Sequence, residues 1–137
     1  MAQTQKEQAP KVGPISRTAI VVCDLDRALL LFRDILGLKV LSESQIMGDL
    51  ISEHMGHDVT LEGKIYGLGT GESRAGNIVL MHYTNIDKGD EEDHDAKFDV
   101  GNVALVMMVD PEAADIYEIY NNVKEAGFKI ISAPSEL

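Results

Sequence analysis

Apolar residues change their spacing along the first part of the chain, and the change predicts a strand followed by a helix and a second strand. The β-branched run Ile15–Cys23 is typical of a buried strand. Apolar residues then recur every three or four positions, as in an amphipathic helix, with Asp24 or Asp26 as its N-cap. Gly37 is placed to end this helix, and residues 38–43 follow as a second strand.

The rest of the chain predicts further strands and a second long helix. The glycine-rich sequence GTGESRAG reads as a hairpin turn between two strands. Asp110-Pro111 is placed to start a helix that Gly127 ends, and residues 47–55 predict a short helix. The predicted strands are 15–23, 38–43, 59–69, 76–84, 100–109 and 128–132, and the predicted long helices are 25–36 and 111–126.

The chain also resembles itself. RTAIVV from Arg17 aligns with NVALVM from Asn102, and LGLKVLS from Leu36 aligns with AGFKIIS from Ala126. Both pairs keep the order strand, helix, glycine, strand, which indicates an internal duplication. The first copy continues into two more predicted strands, whereas the second reaches residue 137 after its second strand. We therefore predict one βαβββ module and a second, incomplete one.

Composition narrows the class of protein. The 137 residues carry a formal net charge of -11, which disfavours binding to nucleic acid or to an anionic membrane. The single cysteine excludes an internal disulfide, and no apolar run approaches the roughly 20 residues of a membrane span. We expect a cytoplasmic protein with a flexible tail at 1–14, a first module at 15–86, an acidic linker at 87–99 and a truncated βαβ module at 100–137.

The sequence ISRTAIVVCDLDRALLLFRDILGLKVLSES resembles the opening of the vicinal oxygen chelate superfamily, which includes glyoxalase I, bleomycin-resistance proteins and extradiol dioxygenases. The matching features are the opening strand, the helix start DLDRA, the aromatic residue before RD, and LGL before the second strand. The resemblance implies an α+β fold of paired βαβββ modules whose curved sheets enclose a ligand cavity.

The same resemblance implies a metal site that these residues do not supply. Metal-using members place His, Glu, His and Glu on the first, fourth, fifth and eighth strands, and the first three positions fall on Arg17, Val79 and Asn102. The eighth strand has no counterpart in the sequence. Arginine and valine offer no lone pair to a metal ion. We therefore expect neither a metal nor another cofactor.

Arg17 is the first candidate for ligand binding. If the superfamily's orientation holds, the strand face of Arg17, Ala19 and Val21 lines the cavity. A guanidinium there could hold a carboxylate or enolate oxygen, although pairing with one of the many acidic residues is an alternative. Asn102 would face the same cavity, or else serve as an ordinary turn residue. The expected ligand-binding residues are Arg17, Asn102, Val79, Met81, Tyr83 and Val106.

Histidines offer a weaker case for catalysis. His82 is out of phase with Val79 and Met81, so it should point away from the cavity. A register slip of one residue would turn it inward as an acid or base near neutral pH. His54 and His57 are interpreted as surface-loop residues.

Three functions remain open from the sequence. The first is a metal-independent protein that binds a small organic ligand, either anionic or carbonyl-bearing. The second is an isomerase, lyase or dioxygenase-type enzyme in which Arg17 stabilises an enolate-like oxygen and His82 or a tyrosine moves the proton. The third is a module that associates through its sheets without a ligand. Because the second module is incomplete, we expect a homo-oligomer or a shortened form of a longer protein.

Overall fold

The computed structural model describes residues 10–46, 52–53, 56–86 and 104–135. Within them the chain has the predicted mixed α+β architecture, a four-stranded sheet with its first helix packed on one face. The elements are β1 (Arg17–Val21), α1 (Leu25–Leu29) with a π-helical continuation (Leu30–Ile35), β2 (Lys39–Ile46), β3 (Gly63–Gly69), β4 (Asn77–Tyr83) and α2 (Ile116–Glu125). The first module is therefore confirmed as βαβββ. The predicted helix over 47–55 lies mostly outside the described residues.

The strands lie in the order β1-β4-β3-β2. β1 is parallel to β4, with Arg17 opposite Asn77, whereas β4 and β2 both run antiparallel to β3. This order places the two strands that flank the first helix at opposite edges of the sheet. β4 is central, which agrees with its having the most buried residues of the four strands.

The first helix begins where the sequence predicts and then changes its winding. The Asp24 carboxylate accepts a hydrogen bond from the Arg27 backbone N–H at 3.0 Å and caps α1. In the π-helical continuation, the Leu36 N–H reaches the Leu31 carbonyl at 2.9 Å, five residues earlier. Gly37, at φ 75°, then turns the chain towards β2, as the C-terminal glycine signal indicates.

Strand alternation divides the apolar residues of the sheet between two clusters. The cluster on the helix-covered face is centred on buried residues that pack against Ile20, Val22 and Phe32; its members are Leu29, Leu68, Ile78 and Leu80. The cluster on the other face is centred on Ile46, Leu61, Met81 and Tyr83. Leu80 and Leu61 are both completely buried, so each face contributes to the hydrophobic free energy of folding.

The predicted strands of the second module are wrong for the residues that the structure describes. Residues 104–109 and 128–132 form no strand, although α2 lies between them. Val106 is 87% exposed and Met108 is 91% exposed, so an apolar run of strand-forming composition lies against solvent. β-propensity requires a neighbouring strand to become sheet, and no such neighbour is found within the described parts of the chain.

The predicted start of the second helix at Asp110-Pro111 is also wrong. Asp110 closes a single turn, because its backbone carbonyl accepts from the Ala113 and Ala114 N–H groups at 3.0 Å. The helix begins later, where the Asp115 carboxylate accepts from the Tyr117 N–H at 2.9 Å. The sequence contains two Asp caps in succession, and the later one starts the continuous helix.

Arg27 connects the end of α2 to the start of α1. Its guanidinium donates a hydrogen bond to the Gly127 carbonyl at 2.8 Å. The same group lies 4.5 Å from the centre of the Phe128 ring, a cation–π geometry. The C-terminal part of the chain is therefore attached to the first module on the helix-covered face.

Candidate functional site

Arg17 and the positions expected to line a cavity share the sheet face away from the helices. Arg17, Ala19 and Val21 alternate with Ile20 and Val22, which pack under the helix. On β4, Val79 lies opposite Ala19 and Met81 lies opposite Val21. Arg17 and Val79 are therefore diagonal neighbours on one face, as the superfamily resemblance implies for the corresponding positions.

The Arg17 side chain is exposed at the edge of the sheet, because β1 is an outer strand. No hydrogen bond or ion pair joins its guanidinium to any residue in the described part of the chain. Arg17 therefore does not pair with an acidic residue in the described part of the chain, which was the alternative to ligand binding. An unpaired guanidinium can donate two parallel hydrogen bonds to a carboxylate.

Tyr83 places a buried hydroxyl group on this face. The residue is 5% exposed, and its shielded hydroxyl has no hydrogen-bond partner among the residues that the structure describes. Burial raises the pKa of Tyr83, so the hydroxyl remains protonated and a donor at neutral pH. Leaving such a group unpaired costs about 1–3 kcal/mol, and because the oxygen is shielded, a ligand oxygen could pair with it only after the surrounding side chains move.

Two residues of the segment before β3 make contacts that the sequence did not indicate, His57 with Tyr83 and Ser52 with Leu61. His57 lies in a loop and is half-buried, as its interpretation as a loop residue implies, and its ring also meets the Tyr83 ring edge to face with centroids 5.9 Å apart. Ser52 is buried, and its Oγ accepts a hydrogen bond from the Leu61 N–H at 2.7 Å. Together they place the segment before β3 against the end of β4. Periodicity carries no signal for the path of such a segment.

His82 lies on the opposite, helix-covered face. It alternates with Met81 and Tyr83 and shares its direction with Ile78 and Leu80. Its Nδ1 lies 3.1 Å from the Val22 carbonyl oxygen. The register slip that would turn His82 towards Arg17 is therefore absent, and the prediction that it points away from that face agrees with the structure.

Two of the expected ligand-binding residues come from the second module. Asn102 lies outside the described residues. Val106 is 87% exposed in a segment without a strand partner in the described regions. The structure does not bring Val106 together with Arg17, whereas it does place Val79, Met81 and Tyr83 on the face of Arg17.

The residues present do not fit the metal that the superfamily resemblance implies. The first-strand position is Arg17, a permanent cation without a free lone pair, and the fourth-strand position is Val79, which has no polar atom. In the described ranges no group of three or more His, Cys, Asp or Glu side chains is arranged to hold a metal ion. This face carries the Arg17 cation and the Tyr83 phenol beside the apolar side chains of Val79 and Met81, with the polar side chains of Asn77, Ser42 and Ser44 on the same side.

Comparison with known proteins identifies the fold family. The sequence profile of the Glyoxalase/Bleomycin resistance protein/Dioxygenase superfamily matches residues 14–136. The chain belongs to this superfamily. A crystal structure of a glyoxalase family protein from Bacillus cereus superposes with a TM-score of 0.69 at 18% identity, covering 94% of this chain and 82% of that one. No curated protein matches the chain.

Superfamily membership confirms the resemblance seen in the opening sequence and the α+β fold class. The short second half is consistent with an incomplete second module. No helix in the described residues is long and apolar enough to cross a membrane.

We predict that the purified protein retains less than one equivalent of zinc, iron, nickel or manganese per chain after dialysis. The reason is that Arg17 and Val79 replace two of the ligand types that such an ion requires. Elemental analysis of the dialysed protein measures the outcome. One retained equivalent that disappears in Asn102→Ala would contradict the prediction.

Proposed function

We propose that this superfamily member binds a small organic ligand without a resident metal ion, on the sheet face that carries Arg17, Val79, Met81 and Tyr83. The observation that carries the proposal is the buried Tyr83 hydroxyl on the same face as the Arg17 guanidinium, neither of which has a partner among the described residues. Proteins rarely leave a buried donor without an acceptor, and such exceptions often accompany function.

The side chains on this face favour a ligand with an oxygen acceptor and an apolar body. Arg17 supplies a charge-assisted donor for a carboxylate, enolate or carbonyl oxygen. Half-buried Val79 and buried Met81 lie between Arg17 and Tyr83 along the same side of the sheet, where they offer apolar contact. Two donors separated by apolar side chains would orient a ligand that is anionic or carbonyl-bearing.

A second candidate function is an isomerase or lyase of the same superfamily. The observation that favours it is the contact of the His57 ring with Tyr83, since both side chains can transfer protons. In that case Arg17 would stabilise a developing negative charge while His57 moves the proton, because the Tyr83 ring holds the His57 ring without a hydrogen bond between them in the described residues. His82 is not part of this arrangement, because it lies on the other face.

The remaining expectations about partners follow from the sequence. We infer that the ligand is not nucleic acid, in agreement with the net charge of -11. A cytoplasmic location and a homo-oligomeric state are likewise proposals.

Arg17→Ala is expected to weaken ligand binding more than it weakens folding. Loss of one charge-assisted hydrogen bond costs about 1.5–3 kcal/mol, or roughly 10–100-fold in the dissociation constant. The measurement is the melting shift produced by a panel of small carboxylic acids and aromatic carbonyl compounds, followed by titration of the best ligand.

Arg74→Ala is the matched control, because Arg74 is an exposed arginine in the turn before β4. Its dissociation constant should equal that of the unmodified protein. An unchanged dissociation constant in Arg17→Ala, together with a lowered melting temperature, would assign Arg17 to structure.

A further inference from the structure

An open cleft lies at the end of the sheet where β2 ends and β3 begins, with a volume of about 410 Å³. Strand pairing sets Gln45 opposite Lys64, so both side chains lie on the helix-covered face. Glu62 comes directly before β3 and Thr84 directly after β4, and the Thr84 N–H donates to the Glu62 carbonyl at 2.8 Å. The cleft is lined by Gln45, Ile46, Thr60, Glu62, Gly63, Lys64 and Thr84.

The lining is held by hydrogen bonds to the backbone rather than by contacts among its charged groups. The Asn85 side chain accepts from the Glu62 N–H at 2.9 Å and donates to the Thr60 carbonyl at 2.7 Å. The Thr84 hydroxyl also donates to the Glu62 carbonyl at 3.2 Å. The segment that carries Glu62 is thus fixed in position before any ligand arrives, which reduces the entropy cost of binding.

His82 neighbours this cleft in the ladder but is not one of its lining residues. It lies directly opposite Lys64 in the ladder and two residues before Thr84. Because a carbonyl oxygen can only accept, the Nδ1 that lies 3.1 Å from the Val22 oxygen must carry a hydrogen. Nε2 has no hydrogen-bond partner among the side chains of the described regions.

The two charged side chains of the cleft have opposite signs and do not neutralise one another. No ion pair joins Glu62 to Lys64, or either of them to another side chain in the described part of the protein. A small ligand with both charges would place its carboxylate at the ammonium of Lys64 and its ammonium at the carboxylate of Glu62.

We propose that this cleft is a second binding site, and that its ligand is a small zwitterion of the α-amino acid type. Its charged groups are separate from the site proposed above, because Glu62 and Lys64 lie on the face opposite to Arg17 and Tyr83, although the cleft residues Ile46 and Gly63 belong to the Tyr83 face. Since the cleft is open and its charges are exposed, binding should be weak, with a dissociation constant on the order of 1 mM.

The test is a titration of isotope-labelled protein by NMR with three probes of similar size. L-Alanine carries both charges, L-lactate lacks the ammonium, and L-alaninamide lacks the carboxylate. L-Alanine should shift the amide signals of Glu62, Lys64 and Thr84, and the other two probes should bind at least about fivefold more weakly. The imidazole nitrogen signals should show the Nδ1–H tautomer of His82 in the free protein.

Variants separate this site from the first. Lys64→Met and Glu62→Gln should each weaken L-alanine binding by about fivefold or more, whereas Lys39→Met, at the other end of the sheet, should leave it unchanged. Arg17→Ala should also leave it unchanged. Absence of shifts at the cleft, equal binding of all three probes, or loss of L-alanine binding in Arg17→Ala would overturn the proposal.

Discussion

Gly63→Ala is expected to lower the free energy of unfolding by about 3 kcal/mol. A methyl group on Gly63 would overlap the backbone carbonyl oxygen of His82 in the neighbouring strand. A flexible side chain could move aside, but a strand backbone cannot do so without breaking its ladder. The substitution should therefore separate the end of β3 from β4, where Gly63 pairs with Tyr83.

Gly13→Ala is the matched control, because nothing lies within 4 Å of a methyl group at that position. Its unfolding free energy should stay within about 0.5 kcal/mol of the unmodified protein. Urea unfolding of the three proteins, followed by circular dichroism, measures both values. A Gly63→Ala protein as stable as the control would show that β3 and β4 are not paired at this point.

The first module could be predicted because its signals are local. The β-branched run of β1, the Asp24 cap and the Gly37 terminator each act within a few residues of the chain. The period of two along a strand also predicted which side chains share a face. On β4 it separated Val79 from His82, whereas the superfamily resemblance placed Arg17 on the side of Val79, and the strand pairing agrees with both.

The second module was predicted less well because strand formation depends on a partner elsewhere. Residues 104–109 have the composition of a strand, and the internal repeat supports that interpretation. In the described residues, however, no strand lies next to them. Local propensity is then insufficient to form a sheet.

Site residues on a single regular strand could be predicted from the sequence, whereas those in loops or on paired strands could not. Val79, Met81 and Tyr83 lie on one strand and follow from its alternation. The contact of His57 with Tyr83 depends on the path of a loop, which periodicity does not encode. The cleft at Glu62 and Lys64 depends on pairing with residues of two other strands, and a linear sequence does not show that pairing directly.

We expect the chain to associate with itself, because the apolar segment 104–109 is exposed. Its side chains include Val106 at 87% exposure and Met108 at 91%. β1 is an edge of the sheet, and its residue Val21 is 54% exposed. Open edges and contiguous apolar surfaces recruit other chains. We expect a second copy of the chain to cover segment 104–109, by sheet pairing or by strand exchange.

Light scattering coupled to size-exclusion chromatography should therefore give a mass above the 15.0 kDa of one chain at micromolar concentration. The melting temperature should rise with protein concentration, because association stabilises the folded state by mass action. The double variant Val106→Lys/Met108→Lys should be monomeric, since two buried, unpaired charges at the interface would oppose association.

Val12→Lys is the matched control, because Val12 is 81% exposed but lies before β1, away from segment 104–109 in the sequence. It should associate like the unmodified protein. A mass of 15.0 kDa at micromolar concentration together with a cooperative thermal transition would contradict the prediction. In that case the chain would be stable with segment 104–109 exposed, and the cost of its apolar surface would have to be offset within a single copy.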